Sequence, residues 1–118
     1  MKINSVNQNF CATIPYNSAA KKVNRILNKA AIYDYILTDY MDYKILRERI
    51  NEILPDKEDI VSFSKVEPFQ NFELSYKITG NIKHNNENKE FCAVAHCDDG
   101  SWMSGNRIVK AIKNAVNQ

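Results

Sequence analysis

The stretch from Phe72 to Cys97 constrains the fold more than any other part of the chain, because it reads as one long β-hairpin. Phe72, Leu74, Tyr76 and Ile78 alternate with Glu73, Ser75, Lys77 and Thr79, the period of two expected of a strand with one buried face. The return arm is Phe91-Cys92-Ala93-Val94-Ala95-His96-Cys97, closed by the turn signal Asp98-Asp99-Gly100. Between the arms lies His84-Asn85-Asn86-Glu87-Asn88-Lys89, a polar tip rich in residues that tolerate the left-handed conformation. This pattern predicts a solvated face carrying Glu73, Ser75, Lys77 and Thr79, and an apolar face that other elements must cover.

The covering elements are helices. Asn17 or Ser18 is placed to cap a first helix running to about Ile36, with Val23, Ile26, Leu27 and Ala30 as its apolar stripe. Lys21, Arg25 and Lys29 recur at i, i+4 and i+8 on a separate stripe. Thr38 and Asp39 signal the start of a second helix, which carries Leu46, Ile50, Ile53 and Leu54 and stops at Pro55. Ile60–Val66 reads as a first strand closed by Pro68. A last helix follows Ser101-Trp102-Met103-Ser104-Gly105, with Ile108, Ile112 and Val116 buried and Arg107, Lys110 and Lys113 pointing elsewhere. The expected fold is a single α+β domain over residues 17–118, in the order α-α-β-β-β-α. Its three strands form an antiparallel meander with the helices on one face. Residues 1–16 are expected to be an N-terminal arm, extended or disordered.

Composition narrows the function classes. A length of 118 residues suits one domain, which at this size buries roughly 65% of its surface. The net charge of +2 supplies no global drive toward nucleic acid or an anionic membrane, and no run approaches a membrane span. Three cysteines make an odd count, too few for a disulfide scaffold, and point to a reducing, cytoplasmic setting. Fifteen asparagines with abundant Lys and Ile suggest an AT-rich coding sequence.

Catalytic and metal chemistry find little support in the residues. On a strand Cys92 and His96 lie roughly 13 Å apart, and His96 and Cys97 face opposite ways, so no metal site is expected. Cys11 or Cys92 with His84 or His96 lacks any nucleophile elbow or oxyanion loop, and Gly80, Gly100 and Gly105 stand apart. No catalytic residue and no cofactor is expected. His84 reads as a solvated turn residue.

Two surfaces remain. Tyr33-Asp34-Tyr35-Ile36-Leu37-Thr38-Asp39-Tyr40-Met41-Asp42-Tyr43 holds four of the six tyrosines, and tyrosine suits interfaces by its large area and polar tip. Tyr33, Tyr35, Asp39, Tyr40, Asp42 and Tyr43 are therefore candidate protein-binding residues, although Tyr33 and Tyr40 would equally serve as packing at a helix junction. Asp34, Asp39 and Asp42 would steer a basic partner. The second surface is basic: Lys21, Arg25, Lys29, Arg107, Lys110 and Lys113 are candidates for contact with nucleic-acid phosphates.

From Asp39 onward the order α-β-β-β-α resembles that of the double-stranded-RNA-binding domain, over about two thirds of the chain. That resemblance implies A-form duplex binding through the backbone. The chain departs from the family at Gly105-Asn106-Arg107, where a lysine pair is diagnostic, and at Pro68-Phe69-Gln70-Asn71, which lacks the family's histidine. The reading that follows is a non-catalytic module acting by protein–protein contact, with a partner or as a homodimer. The alternatives are a weak RNA binder and a phage or mobile-element inhibitor of a host protein.

Overall fold

A computed structural model describes residues 11–34, 39–71 and 73–118. The order is α1 (Ser18–Ala30), α2 (Tyr43–Ile53), β1 (Ile60–Pro68), β2 (Ser75–His84), β3 (Glu87–His96) and α3 (Ser101–Val116). Short 3-10 turns cover Ala31–Tyr33 and Cys97–Asp99. The strands form one antiparallel sheet in the order β1-β2-β3. This is the α+β meander that the hydrophobic periodicity predicts.

The hairpin turn is tighter than its polar composition suggests. Asn85 and Asn86 form it alone, with φ of 54° and 64°, the left-handed pair that a two-residue hairpin with the sheet's twist requires. His84 closes β2, and Glu87, Asn88 and Lys89 belong to β3. Cross-strand partners are equidistant from this turn, from His84 opposite Glu87 to Ser75 opposite His96. Phe72 lies outside the described residues, and β2 begins at Ser75 rather than at Phe72.

One sheet face carries Ile78 and Ile82 beside Phe91, Ala93 and Ala95, all buried. In β1 the register slips between Phe63 and Lys65. The extra residue reverses the alternation, so Val61 and Phe63 face inward before the bulge and Val66 opposes Ile78 after it. The helices lie over this face, α1 against β1 and α3 along β3, with α2 packed on both helices. Val23, Ile26, Leu27 and Ala30 of α1 meet Ile108 and Ile112 of α3 in the core, as their helical spacing implies.

Two helix boundaries differ from the sequence reading. α1 ends at Ala30, and the chain leaves it through the 3-10 turn instead of continuing to Ile36. α2 starts later than Thr38 and Asp39 imply. Its N-cap is Asp42, whose carboxylate accepts from the Ile45 amide at 2.8 Å. Thr38 lies outside the described residues.

Ahead of α1, residues 11–16 run beside β1. The Thr13 amide donates to the Asp59 carbonyl and the Val61 amide donates to the Thr13 carbonyl, both at 2.9 Å. Ala12 is buried by this contact. The Asn17 side chain caps α1 through the Ala20 amide and donates back to the Phe63 carbonyl at 2.8 Å. Among the described residues no helix is long and apolar enough to cross a membrane.

Candidate functional site

The junction between α1 and α2 is organised by one carboxylate. α3 begins at Gly100, which has no side chain with which to cap the helix. Asp34 supplies the cap from 67 residues away: it accepts from the Ser101 amide at 2.8 Å and from the Ser101 hydroxyl at 2.6 Å. The same hydroxyl accepts from the Met41 amide at 2.9 Å. Gly100 has φ of 92°, and a Cβ there would come within 2.5 Å of Asp34 Oδ1, so both the backbone and the clasp select glycine. At Gly105 a Cβ would collide with the Met41 thioether, which lies over the helix and is fully buried.

Around this clasp sit the exposed apolar side chains. Ile32 is 79% exposed, Tyr33 41%, Tyr40 54% and Met103 50%. Each is within two residues of Asp34, Met41 or Ser101, so the clasp fixes the backbone that presents them. Six large apolar side chains are exposed among the described residues, and these are four of them. The other two, Tyr16 and Ile60, belong to the segment before α1 and to the start of β1.

The structure sorts the other aromatic and acidic candidates of this segment. Tyr43 is only 9% exposed and is a core side chain, edge-on to the Tyr16 ring at 5.3 Å. Burial raises its phenol pKa, against a smaller opposing pull from Arg47, and its hydroxyl has no hydrogen-bond partner among the described residues. Tyr35 lies outside the described residues. Of the three acids expected to steer a basic partner, Asp34 forms the clasp and Asp42 caps α2, which leaves Asp39 exposed. Trp102 is half-buried, with the Arg49 guanidinium 4.8 Å above its ring.

The basic candidates do not merge into one surface. Arg25 and Lys29 of α1 line a groove of about 410 Å³ with Lys22, Ile26, Val66, Pro68 and Tyr76. Lys21 turns to the other flank, 6.0 Å from the Tyr16 ring. Arg107 and Lys110 line a different groove, beside Cys92, Val94 and His96 of β3, and Arg107 is paired with Asp99 at 2.6 Å. Lys113 is exposed in the last turn of α3. Lys29 donates to the Tyr76 hydroxyl at 3.4 Å, and that contact holds its ammonium pKa above the ordinary value.

Two histidine pairs escape a reading by sequence. His84, expected to be a solvated turn residue, is half-buried and holds Asp59 through Nδ1 at 2.9 Å. Asp59 is only 4% exposed, and its second oxygen has no partner among the described residues. Ser75, expected on the solvated face, is buried, and its hydroxyl lies 2.6 Å from His96 Nδ1. The Ser75–His96 position follows from the two-residue turn, a signal that a six-residue tip conceals, and the His84–Asp59 position from the β1–β2 register, in which Ile60 opposes Lys83. Among the described residues no carboxylate orients the second nitrogen of His96, the third group that a nucleophile–base pair needs.

The cysteines separate by face. Cys92 opposes Thr79 on the outer face and is exposed. Cys97 is buried, with its thiol donating toward the Ile26 carbonyl at 3.8 Å. Burial raises its pKa, with Lys29 opposing. Among the described residues no group of three or more His, Cys, Asp or Glu is placed to hold a metal ion. No family model, curated protein or solved structure matches this chain.

Proposed function

We propose that this protein is a non-catalytic binding module that acts by protein–protein contact, docking a partner on the junction around the Asp34–Ser101 clasp. One observation carries the reading: four of the six exposed large apolar side chains among the described residues stand at this junction. Single exposed hydrophobes are ordinary on a protein surface, whereas their concentration at one place marks an interaction site. The contact atoms belong to Ile32, Tyr33, Tyr40 and Met103, and the exposed Asp39 adds charge at the margin. The clasp favours binding by fixing these residues before the partner arrives, which reduces the ordering cost of association. The cysteine usage supports action in a reducing compartment, the cytoplasm.

The test compares the tagged full chain with a Tyr33→Ala/Tyr40→Ala variant in nuclease-treated lysate, read by mass spectrometry. Proteins captured by the parent and lost with the variant, at an unchanged thermal midpoint, support the reading. Identical capture by both chains, or capture that disappears with nuclease alone, overturns it. A dimer of the parent that dissociates in the variant identifies a second copy as the partner.

A further inference from the structure

We infer that the groove between α1 and the C-terminal half of β1 is a second binding site, which takes an acidic-apolar peptide segment in extended form. This site is separate from the aromatic junction and rests on different observations. Its floor is apolar: Ile26 from α1, Val66 and Pro68 from β1, and the Tyr76 ring from β2. Its rim is cationic, built by Lys22, Arg25 and Lys29 at i, i+3 and i+7 on one side of the helix. The volume of about 410 Å³ falls within the range of roughly 300–1,000 Å³ typical of ligand-holding clefts.

The charge at this rim lacks a counterpart. None of the three cations ion-pairs with a carboxylate among the described residues. Residues 1–33 of the sequence contain no Asp or Glu, so the chain ahead of the groove carries no acid to neutralise it. Tyr76 offers Lys29 a neutral hydroxyl and a ring face 5.8 Å away, which orients the ammonium over the cleft without cancelling its charge. An apolar floor beneath uncompensated cations is complementary to a segment with apolar anchors flanked by carboxylates.

The spacing sets the pattern. Lys22 and Lys29 are roughly 10 Å apart along the axis at the helical rise. An extended chain spans about the same distance in three residues. In the threefold polyproline II form of an extended chain, carboxylates at i and i+3 lie on one side about 9 Å apart and can reach the two ends of the rim, while the two residues between them turn toward the floor.

Nucleic acid fits less well. A single-strand binder needs a continuous cationic track with aromatic platforms for stacking. Here Arg107 and Lys110 belong to another groove, and the floor presents a single aromatic ring whose hydroxyl Lys29 already engages.

The experiment uses the full chain, labelled with nitrogen-15, and a fluorescein-tagged ten-residue peptide carrying Glu-Leu-Phe-Glu at its centre. Saturable binding is expected, weakening as salt rises, with amide shifts centred on Ile26, Val66 and Tyr76. A peptide with Gln in place of both Glu is expected to bind about tenfold more weakly, as is a Lys22→Glu/Arg25→Glu variant whose thermal midpoint matches the parent. The Tyr33→Ala/Tyr40→Ala variant is expected to bind the peptide as the parent does, so failure at either surface is distinguishable from failure at the other. Absence of saturable binding, equal affinity for the Gln peptide, shifts centred elsewhere, or insensitivity to charge reversal would each overturn the inference. Tighter binding of a ten-nucleotide single-stranded RNA in this groove would also overturn it.

Discussion

Asp34→Ala is the substitution that interrogates the architecture of the junction most directly. The carboxylate accepts two hydrogen bonds from Ser101, at 2.8 Å from the amide and 2.6 Å from the hydroxyl, and Ser101 is fully buried. Hydrogen bonds to a charged group contribute about 1.5–3 kcal/mol each, and a missing N-cap costs about 1 kcal/mol. These figures overlap, because the Ser101 amide bond is itself the cap. Asp34 is half-buried, so water can replace part of what the carboxylate supplied. The expected loss is therefore about 2–3 kcal/mol rather than the full sum. With a urea m-value of about 1.5 kcal/mol/M, that loss lowers the midpoint by roughly 1.3–2 M at constant m. Asp34→Asn keeps an acceptor and loses the charge, and is expected to cost about half as much. A cycle with Ser101→Ala, which keeps the amide bond and removes the hydroxyl that also serves the Met41 amide, reads the hydroxyl–carboxylate part of the clasp, with an expected coupling of about 1 kcal/mol. A loss below about 0.5 kcal/mol for Asp34→Ala, or a coupling near zero, would refute the view that this clasp holds the junction.

Tyr43→Ala is expected to cost about 3 kcal/mol or more in urea unfolding, because the ring is buried in the core, whereas Tyr40→Ala is expected to stay within about 0.5 kcal/mol. With the Tyr43 phenol pKa raised by burial, the folded chain holds its proton where the unfolded chain has released it. Stability should therefore fall as pH rises above the unfolded value of about 10, and absorbance titration of the folded protein should show one tyrosine ionising late. His84→Ala leaves the buried Asp59 carboxylate without its partner and is expected to cost about 3 kcal/mol, while the Asp59→Asn/His84→Ala double variant recovers part of that loss in the same assay. A thiol reagent at neutral pH is expected to modify Cys92 rapidly and Cys97 only after denaturant is added, as peptide mass mapping would read.

Whatever depends on the backbone's local period was legible in the residues alone. Phe91, Ala93, Ala95 and Cys97 alternate and are buried, and Val23, Ile26, Leu27 and Ala30 recur at helical spacing and form the α1 core stripe. A strand repeats every two residues and a helix every 3.6, so a few neighbouring residues suffice to reveal each face. Tyr33 and Tyr40 could likewise be singled out as candidates by composition, but not separated from Tyr43, because exposure depends on what packs above a ring. Tertiary structure decided the rest. The bulge after Phe63 reverses which β1 residues face inward, and no period in the sequence announces the extra residue. Asp34 reads as a surface acid until the fold brings it against Ser101, and His84 reads as a turn residue until it meets Asp59. The same holds for the α1 groove: helical spacing alone puts Lys22, Arg25 and Lys29 on one side of α1, but the floor comes from α1, β1 and β2, so the groove exists only when the sheet packs beneath the helix. Each of these pairings joins positions tens of residues apart, and their partners are chosen by chain topology and packing, which local sequence does not encode.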